Sequence, residues 1–297
     1  MSEPTELSVV IATRDRVGLL LPTIEAFEAQ THRVEVLVVD QSDGEDPRLA
    51  AAAGEYEWLR VLRDSGRGLS RARNAGLRAT RSRWIAYVDD DCRPDPDFAE
   101  RLAEAIACHP SVAWISGDVT DEGVPDGEYL PVTLFRVERE EELAGRWLLP
   151  WRIGFGVLMV VRRDVVEQLG GWDERLGAGV ARFPASEDMD FNYRLLRAGH
   201  RAFLTPAVRA SHHQWRTLDD LPPLFEGYMR SWAAFATKHL RQGDVRGGAW
   251  LWWLGANDCA RMAASAVRRR SRLRLRVAAA KLRGLAMGTA RGLVTRW

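Results

Sequence analysis

Short apolar runs alternate with amphipathic segments along the first third of the chain. The runs are rich in β-branched and aromatic residues and end in polar residues, which is typical of buried strands. Between them, apolar residues recur at the spacing of a helix. Predicted strands cover 7–12, 34–39, 58–62 and 84–88, and predicted helices cover 19–30, 47–54, 69–79 and 97–108. This alternation predicts an α/β fold with a mostly parallel central sheet flanked by helices.

The remainder of the chain is less regular and changes character near residue 217. Strands are predicted at 112–119 and 156–161 around a charged stretch at 121–151, and helices at 163–169, 187–199 and 224–240. We therefore expect two regions. They are an α/β domain over 1–216, made of parts 1–110 and 111–216, and a C-terminal helical extension over 217–297.

Composition restricts the class of protein. Of the 297 residues 46% are hydrophobic, which supports a substantial core, and the net charge of +1 gives no strong bias toward nucleic acid. The widely spaced Cys92, Cys108 and Cys259 form no disulfide framework and favour a reducing compartment. The first six residues lack the basic start of a signal peptide, and no apolar segment approaches the roughly 20 residues of a membrane span. We expect a cytoplasmic protein.

The C-terminal region has a marked charge asymmetry. No acidic residue follows Asp258, whereas Arg and Lys recur among apolar residues over 268–283, close to Trp250, Trp252 and Trp253. A basic amphipathic segment with nearby tryptophans is typical of an interfacial helix on an anionic membrane. Packing on the main domain is the alternative, and the two can coexist. A nucleic-acid patch fits the regular apolar positions least.

Three consecutive carboxylates, Asp89, Asp90 and Asp91, follow the fourth predicted strand. Uncompensated, they would repel one another, and a hard divalent cation such as Mg²⁺ or Mn²⁺ removes that repulsion. A solvated acidic turn is the alternative. Two further polar loops, 13–16 and 40–43, follow the first and second strands. Because ligands of parallel sheets bind beyond the carboxyl ends of the strands, the three loops predict one site.

Six fragments, in order from Leu7 to about His213, resemble the motifs of the family 2 glycosyltransferases, the inverting group with the GT-A fold. The fragments are 8–16, 38–43, 68–76, 89–91, 170–174 and 186–191. The sequence departs from the family pattern in the first fragment, where Ala12 replaces the usual Pro and Asp15 the usual Asn. Each fragment alone is weak, but six in the right order form a specific signal covering two thirds of the chain.

The resemblance implies a nucleotide-sugar donor and a Mn²⁺ or Mg²⁺ ion that neutralises its diphosphate. It assigns Asp91 first and Asp89 next as metal ligands, with His212 preferred over His213 as a further ligand. Asp90 is then expected to reach the ribose or a neighbouring partner. For each histidine the alternative is a structural role at the end of a strand.

The resemblance also assigns the donor pocket. Asp40 is expected to accept the N3–H of uracil or thymine, which favours a UDP- or dTDP-sugar, although a helix cap is its alternative. Thr13, Asp15 and Arg16 are expected to line the nucleoside pocket. Arg73 is expected to pair with the diphosphate, with Arg67 as a substitute, because guanidinium groups form charge-assisted bonds to phosphate.

On the acceptor side the resemblance points to 170–174 and 186–191. Asp188, accompanied by Glu187, is the candidate general base that takes the proton of the attacking hydroxyl. The alternative is an acidic helix start favoured by the helix dipole. Trp172, with Gly171, is a candidate for contact with an acceptor sugar, and an ordinary core tryptophan is equally compatible with the sequence.

These assignments predict a metal-dependent inverting glycosyltransferase whose acceptor is a lipid-linked or cell-envelope glycan at the inner face of the membrane. The arginine- and alanine-rich composition separately indicates a bacterial source. A transferase-like scaffold protein without turnover is the main alternative. A nucleotidyltransferase would carry a glycine-rich loop after the first strand, where this chain has no glycine before Gly18. Gly66 and Gly68 lack the spacing of a dinucleotide or phosphate-binding loop.

Overall fold

The computed structural model describes residues 6–122, 134–214 and 216–297. The N-terminal residues, part of the predicted charged stretch and Trp215 lie outside these ranges. The chain divides into two compact units. Among the described residues, the first comprises 6–122, 134–173 and 191–214, and the second comprises 174–190 and 216–297. This division differs from the sequence-based boundary in that residues 174–190 belong with the C-terminal region.

In the described part of the first unit, nine strands form one sheet in the order β3-β2-β1-β4-β8-β6-β9-β5, with β7 paired to β9. The strands are β1 (Leu7–Thr13), β2 (Glu35–Asp40), β3 (Leu59–Arg63), β4 (Trp84–Asp89), β5 (Cys92–Pro94), β6 (Trp114–Glu122), β7 (Glu141–Leu143), β8 (Leu158–Arg162) and β9 (Ala202–His213). The first four strands are parallel, as predicted. The later strands pair antiparallel except for β6 and β9, which run parallel, so the sheet is mixed.

Helices cover both faces of this sheet. They are α1 (Val17–Glu28), α2 (Pro47–Glu55), α3 (Leu69–Ala79), α4 (Phe98–Cys108), α5 (Arg163–Gln168) and α6 (Glu187–Arg197), of which residues 187–190 count with the second unit. Because successive strand side chains point to opposite faces, Val9 and Ile11 enter one core cluster and Val10 enters the other. The two-sided burial explains why the first strands read as continuous apolar runs.

The second unit contains three long helices, α7 (Leu221–Arg241), α8 (Val245–Arg269) and α9 (Arg272–Val294). The predicted basic segment 268–283 is not one helix. Helix α8 ends where Arg270 adopts a left-handed φ of 49°, and Ser271 caps α9 by accepting a hydrogen bond from Arg274 N at 3.2 Å. Across the described ranges, none of the helices is both long enough and apolar enough to cross a membrane.

Helix α9 packs on α7 through a glycine row formed by Gly284, Gly288 and Gly292. The three residues are spaced by four positions and therefore share one face of the helix. A Cβ at Gly284 or Gly288 would collide with a backbone carbonyl oxygen of α7, that of Glu226 or Arg230 respectively. The absence of side chains thus allows the two helix backbones to approach closely.

Candidate active site

The three polar loops that follow β1, β2 and β4 lie at one edge of the sheet. In the strand register Thr13 is opposite Asp40, and Ala12 is opposite Asp89. Gln41 N donates to Thr13 O at 2.9 Å, which ties the first two loops together at their base. The loops that the sequence predicted to form one site are therefore neighbours.

Asp90 is fully buried and bonded within the protein. Its Oδ2 accepts hydrogen bonds from Thr13 Oγ1 at 2.7 Å and Arg16 Nε at 3.2 Å, while its carbonyl accepts one from Thr23 Oγ1 at 3.0 Å. Burial raises the pKa of Asp90 to about 7, although the charge of Arg16 opposes that rise. Asp90 thus stabilises the loop after β1 through hydrogen bonds from its buried side chain.

Asp91 and His212 face each other across the pairing of β5 and β9, and both side chains are buried. His212 Nε2 lies 3.4 Å from Asp91 Oδ1, and Arg16 Nη1 lies 3.6 Å from Asp91 Oδ2. His213 instead donates its backbone N–H to Asp91 O at 2.8 Å. Of the two candidate histidines, it is His212 whose ring meets the carboxylate.

Asp89 is paired with the buried Arg73. Arg73 Nη2 lies 3.5 Å from Asp89 Oδ1 and donates to Gly156 O at 2.9 Å, and its guanidinium lies 5.0 Å from the ring centroid of Trp172. Burial raises the pKa of Asp89, while the positive charge of Arg73 acts in the opposite direction. The predicted phosphate-binding arginine is therefore held rigidly beside the second candidate metal ligand.

The residues at this edge fit a divalent ion that is only partly enclosed by protein. Asp89, Asp91 and His212 supply the oxygen and nitrogen donors that Mn²⁺ and Mg²⁺ accept. Within 6–122, 134–214 and 216–297, no group of three or more His, Cys, Asp or Glu side chains is gathered closely enough to hold a metal unaided. Mg²⁺ sites commonly have one or two carboxylates and are completed by substrate phosphates and water, which this donor set matches.

Asp40 is buried at the end of β2. Its Oδ1 accepts the backbone N–H of Ser42 at 2.9 Å, and its Oδ2 pairs with Arg63. Ser42 Oγ in turn accepts the backbone N–H of Asp15 at 2.8 Å. Asp15 has a left-handed φ of 55°, a conformation that Asn and Asp tolerate better than other side chains. That tolerance gives a physical reason for Asp at the position where the family pattern has Asn.

Two residues that sequence reasoning missed, Gln41 and Asp64, shape the loop before α3. Gln41 Oε1 accepts the backbone N–H of Gly68 at 3.0 Å, and its Nε2 donates to Asp64 Oδ2 at 2.9 Å. Asp64 also pairs with Arg71 at 3.0 Å. Burial alone raises the pKa of Asp64, but the bonds from Arg71 and Gln41 outweigh it and the pKa is lowered. Arg67 is exposed and lies 3.2 Å from Asp43.

Trp172 and Gly171 belong to the core side of the first unit. The ring of Trp172 is 2% exposed and stacks on Phe191 with ring centroids 4.3 Å apart. Gly171 has a φ of 74°, and its carbonyl accepts a hydrogen bond from Arg194 at 2.9 Å. Of the two interpretations of Trp172, contact with an acceptor sugar or a place in the core, this geometry supports the core.

In the second unit, Asp188 and Glu187 lie in the first turn of α6. Ser186 precedes them with a left-handed φ of 65°, which is a strained conformation for serine. Glu187 is buried and Asp188 is half-buried. Asp188 Oδ1 accepts the backbone N–H of Met189 at 2.7 Å, so the carboxylate lies at the positive end of the helix dipole.

A buried charged cluster that the sequence did not single out lies next to them. Asp190 Oδ1 is 2.7 Å from Lys238 Nζ and 3.1 Å from His239 Nε2, and all three side chains are buried. The only signal in the sequence was the second Asp of the motif at 186–191, two positions after Asp188.

The chain is similar in sequence to proteins of known family. Residues 8–170 match the family model described as glycosyl transferase family 2. A glucosyl-dolichyl phosphate glucuronosyltransferase of Haloferax volcanii is 26% identical over 215 residues, which cover 70% of this chain and 69% of the relative.

Two solved structures are similar in fold. A mannosyltransferase of Pyrobaculum calidifontis, in complex with GDP-Man and Mn²⁺, has a TM-score of 0.63 and 16% identity, covering 99% of this chain and 88% of that one. S. aureus TarS, in complex with UDP-GlcNAc, has a TM-score of 0.59 and 16% identity, covering 78% of this chain. The match spans 66% of the TarS chain, just under two thirds. At such identities the similarity shows the fold.

Proposed function

The chain belongs to glycosyl transferase family 2, and on that premise we propose that it transfers a sugar from a nucleoside diphosphate donor to a hydroxyl acceptor with inversion at the anomeric carbon. The observation that carries the proposal is the gathering of Thr13, Asp40 and the three aspartates 89–91 at one sheet edge. A nucleotide sugar needs such an arrangement, because its base and its diphosphate must be held together.

The nucleoside end of the donor is assigned to the loops after β1 and β2, where Thr13, Asp15 and Arg16 accompany Asp40. The buried carboxylate of Asp40 retains acceptor capacity beyond Ser42 and Arg63, and an N3–H of uracil or thymine complements it. The structure of TarS with UDP-GlcNAc supports a uridine carrier. The Pyrobaculum enzyme was solved with a guanosine carrier, which makes GDP-sugars the second candidate.

The diphosphate is assigned to the edge formed by Asp89, Asp91 and Arg73. Asp91, Asp89 and His212 would hold a Mn²⁺ or Mg²⁺ ion, in line with the Mn²⁺ of the Pyrobaculum complex. When bound, such an ion neutralises the charge that develops on the departing diphosphate. The guanidinium of Arg73 would also neutralise this charge, because it is buried and held in place by its hydrogen bond to Gly156 O. Arg67, on the exposed rim, would give a weaker contact.

Asp188 is assigned the role of general base. It removes the proton from the acceptor hydroxyl as the new oxygen–carbon bond forms at the anomeric centre. The bond from that carbon to the diphosphate oxygen breaks in the same step, and the nucleoside diphosphate departs with the electron pair. Glu187 supports this role from its buried position in the same helical turn.

We assign the acceptor to a lipid-linked or cell-envelope glycan at the inner face of a membrane. The turn between α8 and α9 combines exposed apolar side chains with exposed arginines. Val267 and Leu275, beside the turn, are 75% and 60% exposed, and Trp253, in the first half of α8, is 58% exposed. In the described part of the chain the nearby Arg268, Arg269, Arg270 and Arg272 form no ion pair. The name of the Haloferax relative, which includes a dolichyl phosphate, supports a lipid-linked substrate.

A screen of nucleotide sugars tests the proposal. UDP-, dTDP- and GDP-sugars are added with Mn²⁺, and both the melting temperature and the release of nucleoside diphosphate are measured. Stabilisation by one donor together with its slow hydrolysis is expected. Stabilisation without any hydrolysis would favour the scaffold alternative, and no stabilisation by any of them would reject the donor site.

A further inference from the structure

The segment that leads to Asp188 is fixed to the C-terminal helices. Ala185 N donates to Ser231 Oγ at 3.0 Å, and Pro184 packs on Gly227, where a Cβ would come within 3.0 Å of Pro184 Cγ. Phe183 stacks on Trp297 with ring centroids 5.5 Å apart. Three successive residues of the segment therefore contact α7 or the residues after α9.

A further attachment is the cluster of Asp190 with Lys238 and His239. Asp190 is completely buried, and a carboxylate in such a place is stable only when charges and hydrogen bonds compensate it. Two residues of an α-helix correspond to about 200° of rotation. Asp190 is directed at α7, so Asp188 lies on the other side of the same helical turn.

Ser186 connects the two attachments in a strained conformation. Its φ of 65° is costly for a side chain with a Cβ, and such a conformation persists only where the surroundings hold it. The bond at Ala185 precedes it and the cluster at Asp190 follows it. The backbone that carries Glu187 and Asp188 is thus held from both ends.

We propose that α7 forms the support that positions the catalytic base, with Asp190, Lys238 and Ser231 as positioning residues. The proposal rests on the role assigned to Asp188. It gives the C-terminal region a part in catalysis that is separate from any contact with a membrane. Small displacements of a catalytic group lower turnover steeply, so loosening this support should reduce kcat and leave donor binding intact.

Lys281 provides a control for this test; its partner Asp258 is half-exposed, whereas the partner of Lys238 is fully buried. Lys281 Nζ lies 2.7 Å from Asp258 Oδ2, the same distance as Lys238 Nζ from Asp190, and both lysines are buried in the second unit. Lys238→Met and Lys281→Met each remove one buried charge, but only the first touches the cluster beside Asp188. Lys238→Arg, which retains the charge, should restore part of the lost activity.

Two measurements on the full-length protein test the proposal. Hydrogen exchange reports on the backbone amides of 185–191, and turnover is measured with whichever of UDP-GlcNAc, UDP-glucose and GDP-mannose reacts fastest with Mn²⁺. For Lys238→Met we expect at least tenfold faster exchange and about tenfold lower kcat, with a donor Kd within about twofold. Lys281→Met should leave the exchange of 185–191 and kcat within about twofold of the parent.

Equal effects of the two lysine variants, or unchanged exchange in Lys238→Met, would overturn the proposal. If Lys238→Met does not fold, the double variant Asp190→Asn/Lys238→Met and the milder Ser231→Ala take its place, with the same expected direction. The outcome is separable from the assignment of the base. An active Asp188→Asn variant would refute the base, whereas an inactive Asp188→Asn with unaffected Lys238 and Ser231 variants would refute only the support.

Discussion

The side-chain amide of Asn74 forms two hydrogen bonds with the backbone of Trp172, donating to its carbonyl and accepting from its N–H, both at 2.9 Å. The two residues come from different motifs of the sequence, and the bonds join α3 to the segment after α5. Gly171 makes this possible, because a Cβ there would lie 2.8 Å from Asn74 Oδ1.

Gly171→Ala is therefore expected to destabilise the protein more than Gly170→Ala. Both glycines have a left-handed φ, 77° for Gly170 and 74° for Gly171, but a Cβ at Gly170 meets nothing within 4 Å. Backbone strain alone should cost Gly170→Ala about 1–2 kcal/mol. Gly171→Ala should lose roughly 1–3 kcal/mol more through the disturbed amide bonds. Urea unfolding measures both, and equal losses would contradict the role of Asn74.

Asp188→Asn should abolish transfer while donor binding persists, because the amide keeps the shape of the side chain but cannot take a proton. We expect at least a hundredfold loss of kcat and a donor Kd within about twofold. The exposed Asp164, which pairs with Arg162 at 2.7 Å, provides the control variant Asp164→Asn. Transfer by Asp188→Asn near the parental rate would remove Asp188 from the mechanism.

Chelation should stop turnover, and added Mn²⁺ or Mg²⁺ should restore it. His212→Ala should raise the Mn²⁺ concentration required for half-maximal activity about 10–100-fold, the usual effect of disturbing a metal site. His213→Ala should have a smaller effect, because His213 contacts Asp91 through its backbone. Full activity in EDTA would contradict the metal assignment, and equal effects of the two variants would contradict the choice of His212.

Asp64→Asn should lower stability at neutral pH and lose its effect in acid. The folded-state pKa of Asp64 lies below the ordinary value of 3.8, so its contribution is present above pH 3.8 and is lost as the pH falls through the folded value. We expect about 1 kcal/mol at pH 7, because Arg71 is partly exposed and water screens the pair. Chemical unfolding at pH 7 and pH 3 measures this. The exposed Asp219 provides the control Asp219→Asn, and a pH-independent loss would contradict the prediction.

Replacing Arg268, Arg269 and Arg270 together by Gln should weaken binding to vesicles with 30% anionic lipid by about a hundredfold, since each charge near such a surface contributes about 1 kcal/mol. The same number of exposed arginines replaced in the first unit, Arg33, Arg48 and Arg60, controls for net charge. Sedimentation with the vesicles measures binding. Equal partitioning of the two triple variants would reject a membrane role for the turn between α8 and α9.

The sequence pattern predicted an element correctly where the residues within and beside that element determine its structure. Helix α3 covers residues 69–79 as predicted, because an amphipathic run stands between Gly68, with a φ of 119°, and the extended Thr80. Strands β5 and β7 were missed, since each has three residues and no periodicity can be read from so few. The glycosyltransferase family and the α/β class were predicted from ordered motifs and are confirmed.

Contacts between residues far apart in the chain could not be predicted from the sequence. Nothing local indicates that Asp190 pairs with Lys238, 48 positions later, or that the stacking of Trp172 on Phe191 buries its ring. The assignment of residues 174–190 to the C-terminal unit depends on the same kind of contact. A pattern of residue types predicts which elements form, but partners distant in the chain are chosen by packing, which a single sequence does not specify.

The glycine row of α9 determines how the C-terminal region can be studied. A rotation of α9 by about 100° about its own axis would bring Leu285, Thr289 or Leu293 against the α7 backbone, where there is space only for hydrogen, so the face that α9 presents to α7 is fixed. Shortening the chain after Asp258 would leave an open groove on α7 beside Lys238. A deletion would therefore remove the arginines and disrupt the helix bundle at the same time. Single substitutions are needed to separate these two effects at this end of the enzyme.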